Sequence, residues 1–157
     1  MRKQIINAGP EIVSRASEAW LDLESLARVE ITSESSEHPI ESALIPDRGP
    51  GWRAAQPGKQ TIRFVFDHPI HIARIHLEFD EKKQPRTQEF SLRWLSEGGQ
   101  SAQEIVRQQY TFSLVGANHE IEDYHVNLNG VLVLELEIVP DISAGGAHAS
   151  LAQMRLA

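Results

Sequence analysis

Along most of this chain apolar residues return at every second position, a period that buries them only in β-strands. Ile62, Phe64 and Phe66 alternate with Thr61, Arg63 and Val65. Ile75, Leu77 and Phe79 alternate with Arg74, His76 and Glu78, and Phe90, Leu92 and Trp94 with Ser91, Arg93 and Leu95. Leu132, Leu134, Leu136 and Ile138 stand opposite Val131, Val133, Glu135 and Glu137, while Ser150, Ala152, Met154 and Leu156 have the spacing of a closing strand. Turn-forming residues separate these runs at 46–51, Pro57-Gly58, Asp67-His68-Pro69, Gly98-Gly99, Asn129-Gly130 and Gly145-Gly146. Short strands in succession, with no helix between them, predict an all-β fold: an antiparallel β-sandwich of the jelly-roll type, with Phe64, Leu77, Leu92 and Leu134 in one core. One parity slip interrupts the pattern. Ile70 and Ile72 point one way if Ile75, Leu77 and Phe79 point the other, which requires a bulge or strand start near Ala73.

The beginning of the chain has a different period. Pro10 suits a first helical turn, and Ile12, Val13, Ala16, Ala19, Trp20, Leu23 and Leu26 recur at three- and four-residue steps on one face. The expected organisation is an N-terminal α-helix over residues 1–27 followed by one β-sandwich domain over 28–157. A chain of 157 residues buries a sufficient core without staples. It has no cysteine, which excludes a thiol nucleophile, thiolate metal ligation and disulfides. Its net charge of −7 disfavours nucleic acid as a partner. No apolar run approaches the ~20 residues needed to cross a bilayer, and Met1–Asn7 is not followed by the apolar stretch of a secretory signal. A cytoplasmic protein with no membrane partner is therefore expected, and self-association stays open.

Chemistry is harder to place. The histidines His38, His68, His71, His76, His119, His125 and His148 form no close pair, so no metal site is expected, and no cofactor. Glu120, Glu122 and Asp123 crowd one segment, and Glu135 and Glu137 share a strand face, a placement that allows glycosidase-like carboxylate separations but that any acidic sheet face shares. Only residues 51–100 lean basic, with 8 basic against 6 acidic side chains. Lys82-Lys83-Gln84-Pro85-Arg86 and Arg53, Arg63, Arg74 and Arg93 supply that excess, as an anion site or as a solvated surface. The segments Gly51-Trp52-Arg53, Arg86-Thr87-Gln88-Glu89 and Arg107-Gln108-Gln109-Tyr110 combine forked or amide hydrogen-bonding groups with an aromatic plane. That mix suits sugars or peptide carbonyls, and it equally suits internal ties between loops and sandwich.

A family resemblance follows from the order of these segments. Pro39-Ile40-Glu41-Ser42-Ala43-Leu44, Gly51-Trp52-Arg53-Ala54, the run Gln60–Asp67 and Ile72-Ala73-Arg74-Ile75-His76-Leu77, with the closing Ala149–Leu156, resemble the galactose-binding-like jelly roll of discoidin, or coagulation-factor type C, domains. The resemblance covers roughly Arg28 to Leu156. It implies a non-catalytic binding module that recognises a carbohydrate or a protein surface through loops at one end of the sandwich. The ligand-binding residues expected on those loops are Trp52, Arg53, Arg86, Gln88, Arg107 and Gln109. The alternative is a glycan-active enzyme using Glu120, Glu122 or Glu135. Sugar-binding relatives often carry calcium on an Asp-Gly-Asn loop and a closing-strand glutamate; here those places hold Pro46-Asp47-Arg48-Gly49 and Gln153, so no calcium is expected.

Overall fold

The computed structural model describes residues 19–157. Two single helical turns, α1 (Leu23–Leu26) and α2 (Glu41–Leu44), accompany strands β1 (Ala27–Ile31), β2 (Trp52–Pro57), β3 (Gln60–Asp80), β4 (Arg86–Ser96), β5 (Gln103–Phe112), β6 (His119–Val139), β7 (His148–Leu151) and β8 (Gln153–Leu156). The larger sheet has the order β1-β3-β6-β4-β5, with β8 also on β3, and β2 pairs with β7 in a second sheet. All pairings are antiparallel.

β3 and β6 have 21 residues each. A straight strand of that length would span about 70 Å, against a radius of gyration of about 14 Å for a domain of this size. The pair therefore folds over. Its register, from Gln60↔Ile138 to Asp80↔His119, shifts repeatedly between Val65 and Arg74. One half of β3 carries β1 through Ala27↔Phe66, and the other carries β8 through Ile75↔Leu156. Phe64, Leu77, Leu92 and Leu134 are all fully buried in a single core, as their alternation predicts. The parity slip is a bulge: Ala73 N and Arg74 N both donate to Ala157 O, at 2.7 and 2.9 Å, so that Ile72 and Ile75 both reach the core.

Three details differ from the sequence reading. The helix expected over 1–27 lies largely outside the described residues; within them only α1 is helical, and Ala27 already begins β1 because Val29 and Ile31 complete the edge of β3. The closing strand is two strands, broken at Ala152, whose N–H donates to Glu78 O at 2.8 Å. β5, together with the first half of β6, adds strand where no apolar alternation announced it.

Gly51 fits against that break with φ +106°. A Cβ there would stand 2.6 Å from Leu151 O and 2.8 Å from Ala152 Cα. Gly51→Ala is therefore expected to lower stability by more than the roughly 1–3 kcal/mol of the left-handed backbone alone, because backbone atoms, not a flexible side chain, occupy the space. Denaturant unfolding measures this; an unchanged midpoint would contradict the packing described.

Candidate functional site

Hydrogen bonds between loops gather one end of the sandwich. Ser35 N donates to Arg53 O, Gly58 N to Ala147 O, Glu81 N to Asn118 O and Ile142 N to Thr87 O, which brings the turns after β1, β2, β3, β5 and β6 together. Trp52 is buried in the core, and its indole N–H donates to Ser33 O at 3.0 Å. Alternation then turns Arg53 outward, opposite Ser150 of β7. Its backbone is held from the other side by Arg53 N donating to His38 O at 3.1 Å.

Arg53 stands where two hollows meet. A cleft of about 200 Å³ is lined by His38, Arg53, Asp80, Lys82, Lys83 and Ser150, with Trp52 in its floor. A more open hollow of about 430 Å³ is lined by Ser35, Arg53, Ala55, Lys83 and His148. Among the described residues, Arg53, Lys82 and Lys83 have no carboxylate partner. The acids in the wall are engaged elsewhere: Asp80 pairs with His119, and Glu81 turns under the loop to Arg86. His38 Nδ1 is buried and has no hydrogen-bond partner among the described residues.

The lysines are positioned by a buried polar clamp. Arg86 Nε donates to Glu81, and its Nη1 donates to Pro140 O at 2.7 Å and to Gln88 Oε1 at 3.2 Å. Its guanidinium carbon lies 4.7 Å from the centre of the Phe112 ring. The second oxygen of Glu81 accepts from Lys83 N at 2.7 Å and Gln84 N at 3.2 Å. Burial pushes the Glu81 carboxyl up, but the hydrogen bonds from Arg86 and the two amides outweigh it and hold the group below its ordinary value. One ionised pair thus fixes the β3–β4 turn and leaves Lys82 and Lys83 facing the cleft.

The six expected ligand-binding residues therefore fall in three places. Arg53 lines the cleft with Trp52 beneath it. Arg86 and Gln88 are buried in the interior, tying loop to sandwich. Arg107 and Gln109 lie on the exposed face of β5, where both donate to Glu89, at 2.7 and 2.9 Å. His38, Ser150, Leu151 and Ala152 also line the cleft, and nothing in their local sequence marked them as such.

The acidic residues do not form one group. Glu135 and Glu137 face outward from β6 and pair with Arg63 and Lys59. Glu120, at the far end of the same strand, faces inward and is buried, with Oε1 accepting from Gln88 at 3.3 Å and Oε2 unpartnered. Burial, then the neighbouring Glu122, pushes Glu120 up to about 9, so it is protonated at neutral pH. Tyr124 donates to Glu122 at 2.8 Å, and burial followed by that bond pushes the phenol upward. Among the described residues no three His, Asp or Glu side chains are grouped to hold a metal ion.

Two outcomes follow. Arg86→Met leaves Glu81 buried without its cation and should cost about 3–5 kcal/mol in chemical unfolding; a loss within 0.5 kcal/mol, roughly the range of a surface substitution, would show the clamp to be dispensable. Glu120 has a native value above its unfolded one, so its contribution is fully present below about 4.5 and is lost as pH rises through about 9. Glu120→Gln should flatten the fall of Tm across that window and make the variant the more stable protein at pH 8, whereas parallel pH profiles would contradict a buried neutral carboxyl.

No protein-family model matches the sequence, and no curated protein is a detectable relative. Solved structures do match. The chain is similar to the CBM32 of AlyQ in complex with 4,5-unsaturated mannuronic acid, with a TM-score of 0.62 and 14% identity over 88% of this chain and 98% of that one. It is also similar to a pectin-binding carbohydrate-binding module, with a TM-score of 0.59 and 16% identity over 83% and 89% of the two chains. The F5/8 type C domain of a Bacteroides fragilis protein matches with a TM-score of 0.58 and 12% identity over 88% and 94%. The long folded-over strand pair, the two sheets and these likenesses together establish that the chain has the galactose-binding-like jelly-roll fold of CBM32 and F5/8 type C domains.

Proposed function

We propose that the chain is a non-catalytic carbohydrate-binding module whose ligand lies across the cleft at Arg53. The observation that carries this reading is the pair of hollows meeting at one unpaired guanidinium, on the end of the sandwich where the loops converge. Arg53 offers a planar fork of donors and Ser150 a hydroxyl, a polar pair suited to the hydroxyls and ring oxygen of a sugar. The likeness to modules described as bound to mannuronic acid or as pectin-binding supports a carbohydrate ligand. Against a catalytic pair of Glu120 and Glu135, Glu135 faces outward in an ion pair while Glu120 faces inward at the other end of β6, so these two are not arranged to attack one bond.

Amide NMR on the ¹⁵N-labelled chain, titrated with a panel of plant, algal and host oligosaccharides, tests the proposal. At least one oligosaccharide is expected to shift the amides of His38, Arg53, Lys82, Lys83 and Ser150 in a concentration-dependent way, with no turnover of the sugar. Shifts confined to Arg107, Gln109 and their neighbours on β5 would move the site to the sheet face. A panel without any binder would remove the carbohydrate reading, and cleaved sugar would favour the enzyme.

A further inference from the structure

Resting on the carbohydrate reading, we infer that the Arg53 cleft selects sugars bearing a negative charge, a uronate carboxylate or a sulfate ester, and holds that charge between Arg53 and Lys83. The first support is the distribution of pairing. The chain carries −7 overall, and Arg28, Lys59, Arg63, Arg74, Arg86 and Arg107 each have a carboxylate partner. Among the described residues Arg53, Lys82 and Lys83 do not, although two acids stand in the same wall; Arg48, Arg93 and Arg155 have none either, but they line neither hollow. Those acids are drawn off, Asp80 to His119 and Glu81 beneath the turn to Arg86 and two backbone amides. The fold thus uses carboxylates to position cations at the rim without neutralising them there.

The second support is what the cleft lacks. A neutral pyranose is commonly held by stacking on an exposed aromatic plane. Among the described residues the single large aromatic in this wall is Trp52, which is only 1% exposed, with its indole N–H already bonded to Ser33 O. Affinity must then come from polar contacts, and among these charge-assisted bonds to an anion are the strongest. Geometry places the charge. Arg53 and Lys83 are the two residues shared by both hollows, so an anionic group at their junction leaves room for a sugar residue on either side.

Calorimetry with oligogalacturonate, oligomannuronate and a sulfated galactan, each beside its neutral counterpart (the two methyl esters and unsulfated galactan), tests the inference. At least one anionic probe should bind about tenfold or more tightly than its neutral counterpart, as one charged hydrogen bond predicts. Its affinity should fall as NaCl rises from about 50 mM to 500 mM. Preference among the three probes separates a carboxylate from a sulfate ligand. Arg53→Gln and Lys83→Gln should each weaken the anionic probe about tenfold with Tm unchanged, since both groups are without partners whose loss would unfold the chain. Equal binding of charged and neutral forms, or binding indifferent to both substitutions, overturns the charge selection while leaving the carbohydrate module standing. If none of the six probes binds, the charge selection falls; the oligosaccharide panel above then decides separately whether any sugar is bound.

Discussion

Every strand of the larger sheet hangs on one antiparallel pair, β3 with β6. β1 and β8 pair with β3, β4 pairs with β6, and β5 pairs with β4. A pair too long for the domain must bend, and bending requires register shifts, which the structure concentrates between Val65 and Arg74. The bulge closed by Ala157 O is therefore a condition of the fold: without it Ile72 and Ile75 would not both face inward. The same bend delivers the end of β3 beside β7, and the turn after it to the loop end, where Lys82 and Lys83 emerge.

Local electrostatics then divides the loop end into a hidden and a displayed half. An ion pair removed from water is expensive unless its remaining groups are satisfied. Arg86 and Glu81 come close to that condition, using a backbone carbonyl, two backbone amides, Gln88 and the face of Phe112. The unpartnered Nη2 of Arg86 and Oε2 of Glu120 mark where satisfaction is incomplete.

The β-sandwich and most of its core were legible because burial on one side of a strand leaves a period of two, and Phe64, Leu77, Leu92 and Leu134 each sit in such a run. β5 was not, because an edge strand packed on one side by a few residues and wetted on the other reads as polar sequence; of its ten residues only Phe112 is buried. The candidate site was half legible. Arg53 and the lysine turn stood out by composition, yet Arg86 and Gln88 have the same residue types as surface recognition groups and differ only in what covers them, which composition does not encode. His38 and Ser150 come to Arg53 through pairing of distant segments, so no local spacing announced them.

The polar character of β5 bears on where the larger sheet stops. An exposed edge strand with a continuous apolar stripe recruits a second copy through its open backbone groups. β5 interrupts any such stripe with Arg107, Gln108 and Gln109, and crosses to its neighbour through Arg107 and Glu89 at 2.7 Å. It pairs only with β4, so it is the last member of the row. Charged and amide side chains on this open edge disfavour the addition of a further strand, so the row of the larger sheet ends at β5 by chemistry as well as by topology.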